Sequence, residues 1–366
     1  MNRRSALKGL GATMLGMVAR PGIGQLAAAS SQSLPIRMAG YDYDRVQALM
    51  DGSVQLEGCE LDFEVDTIGG MNTDALGGPV RREVTEIGMT PYILAFANEG
   101  LRNHTLIPVF PLRVFRHKSV FIRPDRGINR PEDLRGKKVA TPGYSSTSLT
   151  WIRGIMQHEY GVRPGDVHWV LARKDSAGKA SGGPSKQEQV LPEGLDFSQG
   201  SPGMDESDLL ISGEVDALFH AAEPRAFTEG DPRCVRLFAD SRKTEREYYA
   251  KTGIFPIMHA VAVRNDMVEQ NPWLPKALFE AYSKAKQRTY DYLRKSAWYK
   301  TTLPWISQEL EDTRDVMGDN FYAYGLSPNN RTTLEALFQY SYEQGLASRL
   351  LTVEELFHPS TMTLTE

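Results

Sequence analysis

From Leu34 to Val263 short apolar runs alternate with amphipathic stretches. Leu34 to Ala39 is an apolar-rich run closed by Gly40, and Cys59-Glu-Leu-Asp-Phe-Glu-Val65 alternates strictly, the mark of a half-buried strand. Glu86 to Pro91 predicts a strand end feeding a helix over Tyr92 to Asn98, and Leu106 to Phe110 and Ser119 to Arg123 predict two further strands. Lys137 to Thr141 predicts a strand, broken by Pro142-Gly143 and followed by an amphipathic helix that runs to Tyr160. Val167 to Ala172 and Val235 to Phe238 add strands, as does the segment ending at Phe219, with a helix ending at Gly213 just before it. Asp240 to Thr252 predicts a charged helix, and Gly253 to Val263 an apolar strand. Beyond Asn271 the spacing is helical: Pro272 to Leu293, Trp298 to Gln308, Asp312 to Gly318, Thr332 to Gln344 and Val353 to Leu356, with aromatic stripes suited to core packing. Lys174 to Glu206, rich in Gly, Ser, Pro and charge, predicts a long surface loop that could act as a lid. The alternation gives an α/β fold with a mostly parallel sheet, where ligands sit beyond the carboxyl ends of strands.

That placement gathers Tyr41, Asp42, Met89, Thr90 and Tyr144. Ser145, Ser146, Thr147 and Ser148 follow at the start of a helix, where free N–H groups and partial positive charge form an anion seat. The same hydroxyls also fit ordinary helix capping. Phe110 to Ser119 carries Arg113, Arg116, His117 and Lys118 interleaved with Phe110 and Phe115. The planar arginine fork suits a carboxylate, and aromatic neighbours suit a ring. If extended, this segment turns Arg116 and Lys118 away from Phe115 and His117; a solvated basic edge strand is the alternative. His220, Glu223 and Arg225 lie at another strand end, where Glu223 and Arg225 also fit a structural ion pair. His259 lies inside an apolar strand, a position that suits either a core histidine or a site residue.

The 366 residues are enough for two lobes, each with its own core. A net charge of −4 gives no basic excess for nucleic acid. Cys59 and Cys234 fit small buried residues, or one disulfide if the compartment is oxidising and the fold brings them together. No Cys/His spacing argues for a metal, and dinucleotide, Walker, His-Glu-x-x-His and Gly-x-Ser-x-Gly motifs are absent, so no cofactor is expected. Arg3-Arg4 before the apolar run Leu10 to Ala19, with Ala27-Ala28-Ala29 beyond, resembles a twin-arginine export signal over residues 1–29. Cleavage after Ala29 would remove Arg3, Arg4, Lys8 and Arg20 and leave a net charge of −8 on an exported, periplasmic protein.

Ile107-Pro-Val-Phe-Pro with Phe115-Arg-His, Arg130-Pro-Glu-Asp-Leu-Arg-Gly-Lys-Lys-Val139, Glu159-Tyr-Gly-Val162 and Thr252-Gly-Ile-Phe-Pro-Ile-Met-His259 with Asn271-Pro-Trp273 resemble the 4,5-dihydroxyphthalate decarboxylase group. The resemblance spans roughly residues 34–285. It implies the type II periplasmic-binding-protein fold: two α/β lobes with mixed sheets, a hinged cleft and a helical C-terminal region. On that analogy one lobe takes residues 34–140 and 255–366 and the other 141–254, with crossovers near Thr141 and Ile254.

Two functions follow from the resemblance. An exported receptor would capture a small aromatic carboxylate for the membrane permease of an ABC system, as a monomer or weak oligomer. Arg116, His117 and the hydroxyls of Ser145 to Ser148 would take the carboxylate, and Tyr41, Phe115 and Tyr144 the ring, with Thr90, Arg113, His220 and Arg225 as further contacts. A cofactor-free decarboxylase would instead make protocatechuate from 4,5-dihydroxyphthalate, with His117, His259 or Glu223 as proton donor. The export signal favours the receptor.

Overall fold

The computed structural model describes residues 33–175, 181–295 and 298–366. The expected export signal lies outside them. Residues Leu34–Glu366 form one unit built on two sheets. Among the described residues, no helix is long and apolar enough to cross a membrane.

The first sheet is assembled from β1 (Leu34–Gly40), β2 (Cys59–Val65), β3 (Val84–Gly88), β4 (His104–Ile107) and β11 (His259–Arg264) in the order β2-β1-β3-β11-β4. β1 runs parallel to β2 and β3, whereas β11 is inserted antiparallel between β3 and β4, pairing His259 with Gly88. The second sheet holds β5 (Val120–Ile122), β6 (Lys138–Thr141), β7 (His168–Leu171), β8 (Phe197–Gln199), β9 (Ala217–Phe219) and β10 (Val235–Arg236) in the order β10-β5-β9-β6-β7-β8. Here β5 is the antiparallel insertion, between β9 and β10. Each sheet therefore receives one antiparallel strand directly after the chain has crossed between them.

The crossings are Pro108–Ser119 outward and Leu237–Met258 on return. The return segment includes Ile254. The outward segment does not reach Thr141: β5 and β6 already belong to the second sheet, so the crossover precedes Val120 instead of falling near Thr141. The β5–β9 pairing joins residues almost a hundred positions apart, and no local pattern signals it.

Local chemistry sets the helix that follows β6. Ser146 accepts a hydrogen bond from the Leu149 amide and caps Thr147–Tyr160, and Gly161 ends the helix with φ of 65°. Its buried face packs on the C-terminal helix Pro328–Glu343, where Arg153 Nε donates to Gln344 Oε1 at 2.8 Å. The region expected to be a long surface loop, Lys174 to Glu206, also carries regular structure. Phe197–Gln199 extends the second sheet, Gln187 is buried, and a helix starts at Glu206 behind an Asp205 cap. In the C-terminal region the helices expected over Trp298 to Gln308 and Asp312 to Gly318 are replaced by one, Ile306–Met317. Cys59 and Cys234 are both free, one in the first sheet and one beside the second.

Candidate functional site

Between the sheets lies a cavity of about 370 Å³, within the range of small-molecule pockets, roughly 300–1,000 Å³. One wall comes from the strand ends of the first sheet. Tyr41 and Tyr43 follow β1, and His259 opens β11 opposite Gly88. Behind them Glu86 sits in β3, a strand whose five residues are all buried. His259 Nδ1 lies 2.5 Å from Glu86 Oε1, which also accepts from the Tyr43 hydroxyl at 3.0 Å, while Glu86 Oε2 accepts the Tyr41 amide at 3.1 Å. With Nδ1 held by a carboxylate, Nε2 is the imidazole nitrogen available to a ligand. Tyr41 stacks on the imidazole, with ring centroids 6.1 Å apart and planes at 14°.

The facing wall is Pro142–Gly143, Tyr144 and the first turn of helix Thr147–Tyr160. Thr147 Oγ1 accepts the Thr90 amide at 3.0 Å, so the N-terminal turns of helices Met89–Asn98 and Thr147–Tyr160 meet at the cavity. Both turn positive dipole ends to the same space, which favours an anion. Arg116 enters from the outward crossover. It is only 5% exposed, with Nη1 donating to the Ala221 carbonyl at 2.7 Å and Nη2 to Ser148 Oγ at 2.5 Å. Its Nε has no partner, and no described carboxylate forms an ion pair with it. Burial pulls its pKa down to about 10, opposed by the charge of Glu245, so the guanidinium stays charged at neutral pH without an ion-paired carboxylate among the described residues. A buried cation of this kind is costly without an anion to meet it.

The remaining wall is made by His220, Ala221 and Ala222 after β9 and by Lys174, Ser181, Pro184 and Glu188 from the long connection. Asn72 fastens that connection across the cleft, donating to Glu188 Oε2 at 3.3 Å and accepting the Gly88 amide at 2.9 Å. His220 Nε2 lies 3.1 Å from Glu206 Oε1. Burial opposes its charge, but the Glu206 hydrogen bond lifts the imidazole above its ordinary value.

Of the residues expected at a site, Tyr41, Arg116, Tyr144, Ser146, Thr147, His220 and His259 line the cavity, and Ser148 joins them. The others are placed elsewhere. Thr90 is buried behind Thr147 and reaches it through its amide. Ser145 is turned to the long connection, donating to the Gln187 carbonyl at 2.7 Å. The segment around Arg116 is not extended, so the basic residues do not share a face. Arg113 points into the first lobe and donates to the Phe255 carbonyl at 2.7 Å and Asn330 Oδ1 at 2.8 Å. Phe115 stacks on Phe255 at 4.6 Å. His117 begins a short helical turn and is sealed among Phe238, Tyr248 and Tyr160, with neither ring nitrogen partnered. Arg225 is drawn off by Asp205 and Asp208, at 3.1 and 2.7 Å, and Glu223 by Arg236 on the surface. Donor roles for His117 and Glu223 therefore find no geometric support.

Sequence reasoning missed Tyr43, Asn72, Glu86, Glu188 and Glu206. A carboxylate inside the apolar run Val84–Gly88 was the available signal for Glu86. Tyr43 shares the strand end of Tyr41, whereas Asn72, Glu188 and Glu206 become neighbours only through long-range pairing.

Residues 113–181 match the family described as NMT1/THI5 like. A 4,5-dihydroxyphthalate decarboxylase of Comamonas testosteroni is 34% identical over 332 residues, covering 90% of this chain and 98% of that protein. A 4,5-dihydroxyphthalate decarboxylase of Pseudomonas putida is 30% identical over 216 residues, covering 59% of this chain and 81% of that protein. Among solved structures, the periplasmic aliphatic sulphonate binding protein from Escherichia coli aligns with a TM-score of 0.51 at 13% identity, covering 90% of this chain and 99% of that one. The chain belongs to the 4,5-dihydroxyphthalate decarboxylase family, on the two-lobed fold of the periplasmic binding proteins.

Proposed function

We propose that the chain is a carboxy-lyase acting on a vicinal aromatic dicarboxylate of the 4,5-dihydroxyphthalate type. The observation that carries this is one cavity holding a buried guanidinium with no ion-paired carboxylate among the described residues, Arg116, and a histidine backed by a buried carboxylate, His259 with Glu86. A receptor needs the first of these but not the second.

Arg116 and Ser148 hold one carboxylate, with the two helix N-termini supporting its charge. Tyr41 and Tyr144 bound the space for the ring. Glu86 holds the His259 ring through Nδ1, and Nε2 delivers a proton to the ring carbon that bears the scissile carboxylate. The carbon–carbon bond then breaks, its electron pair restores the aromatic ring, and carbon dioxide leaves. One proton is consumed per turnover, and the ring hydroxyls stabilise the protonated ring by electron donation.

Incubating the purified protein with 4,5-dihydroxyphthalate and following protocatechuate and carbon dioxide tests this. Many turnovers per chain are expected. Tight binding with the ligand recovered intact would overturn the lyase reading and leave a second one. That reading, capture of the same acid outside the cytoplasm for delivery to an ABC permease, is favoured by Arg3-Arg4 and the apolar run behind them. Finding the leader retained on a cytoplasmic protein would remove its support.

A further inference from the structure

Asp175, Glu206 and His220 offer one ligand atom each within 4.8 Å of one another, and all three are buried. They come from the segment that follows β7, the first turn of a helix and the residue after β9. Their positions in the sequence show no ligand spacing, so only the fold reveals the group. We infer that these three side chains form a divalent-metal site, of the kind taken by zinc, bordering the cavity through His220.

Three geometric observations support it. First, His220 Nδ1 lies 2.6 Å from the Ala222 carbonyl oxygen, closer than the 3.2 Å approach of the Ala222 amide. A carbonyl oxygen cannot donate, so Nδ1 carries the proton. Nε2 faces Glu206 Oε1 at 3.1 Å and Asp175 Oδ1 at 3.9 Å, where a metal ion would take the place of the proton that Nε2 shares with Glu206. A histidine whose other nitrogen donates to a backbone carbonyl is the usual arrangement of a metal ligand. Second, the outer oxygen of Asp175 is fixed: Oδ2 accepts from the Ser207 hydroxyl at 2.7 Å and the Arg225 amide at 2.6 Å, which orients Oδ1 toward His220. Third, Glu206 is 0% exposed and its Oε2 has no partner, although Oε1 of the same carboxyl is engaged. A buried carboxylate oxygen left bare calls for a cation or a proton.

The spacing also suits one ion. Donors bound at about 2.0–2.2 Å around a tetrahedral centre stand roughly 3.3 Å apart. One imidazole with two carboxylates selects zinc or another first-row metal over magnesium, which prefers oxygen and water. Three protein ligands leave a further position for water or a ligand oxygen.

The test uses the full chain, stripped with a chelator and titrated with Zn2+, Mn2+ and Mg2+ in the absence of any organic acid. One zinc per chain is expected, with a rise in Tm on addition and no competition by Mg2+. His220→Ala and Glu206→Gln should each weaken zinc by about 100-fold or more, in line with the sensitivity of such sites. If those variants fail to fold, the unmutated chain loaded with Cu2+ should show a single coordinated nitrogen by EPR. Less than one equivalent of zinc on a cooperatively folded stripped chain, unchanged affinity in a folded His220→Ala, or any other nitrogen count overturns the site. Because no substrate enters these measurements, failure here is separate from failure of the lyase reading.

Discussion

Arg116 Nη2 and Ser148 Oγ stand 2.5 Å apart, although one residue lies on the outward crossover and the other in the first turn of helix Thr147–Tyr160. The contact fixes a guanidinium at the point where both helix N-termini converge. Arg116→Ala should therefore weaken binding of 4,5-dihydroxyphthalate by roughly 10- to 150-fold, the equivalent of about 1.5–3 kcal/mol for a hydrogen-bonded charge. Arg116→Lys should recover only part of this, because a point charge cannot replace the planar fork. Isothermal titration measures both, and near-normal affinity in the alanine variant would sink the carboxylate clamp.

His259 and Glu86 should separate chemistry from binding. Glu86→Gln keeps the shape but replaces the carboxylate that holds Nδ1, and His259→Gln removes the proton donor. Each should lower kcat by about 10²–10⁴-fold, the usual contribution of positioned proton transfer, while KM moves only a few-fold. Steady-state kinetics on both variants decides the matter: a loss confined to KM would make the pair a binding contact.

The stability of the chain should carry the signature of two histidines buried without charge. Burial pushes both His117 and His104 from about 6.5 down to about 4. Their unfolded forms bind protons at higher pH than the folded ones, so stability falls as pH drops below about 6.5 and continues to fall toward 4. Each contributes a loss of about 3 kcal/mol at the acid end, and neither costs anything above neutrality. His117→Phe should flatten much of this slope, since the ring already packs edge-on to Phe238 with centroids 5.2 Å apart and bonds to nothing. Urea unfolding at pH 7 and pH 5 measures the effect. Ligand affinity in the same variant should be unchanged, because His117 does not line the cavity.

These predictions show which parts of the site the chain announces. The Ser146–Ser148 cluster was legible because capping is local: a hydroxyl and the amide it accepts from lie three residues apart. Tyr41, Tyr144 and Arg116 were legible because strand ends and breaks are local too. Lumping Arg113 and His117 with Arg116 failed for a physical reason. An extended strand would have sorted them by parity, but the segment bridges to Ile257 at Arg113 and then turns into a short helix at His117, so three neighbours point three ways. Glu206 and Asp175 were invisible since they meet His220 only when β7 and β9 take their places beside β6. The two-lobed fold emerged from strand–helix alternation and resemblance, whereas the outward crossover depends on a pairing no window of sequence contains.

Helix Thr147–Tyr160 supplies a case in which packing should defeat propensity. Gly154 lies in its interior, and replacing it by alanine gains about 1 kcal/mol of helix propensity in isolation. In the folded chain the added Cβ would stand 2.0 Å from Tyr340 Cδ2. That ring cannot swing aside, being edge-on to Trp151 at 5.5 Å and packed on His158 at 4.7 Å. Overpacking of this kind costs about 1–3 kcal/mol, and a contact so short belongs at the upper end. Gly154→Ala should thus destabilise by about 1–2 kcal/mol net, read as a lower denaturant midpoint with an unchanged m-value. Because the helix carries Ser146, Thr147 and Ser148 at its other end, ligand affinity should fall along with stability. A variant that is more stable than the parent would show that helices Thr147–Tyr160 and Pro328–Glu343 do not pack through this glycine.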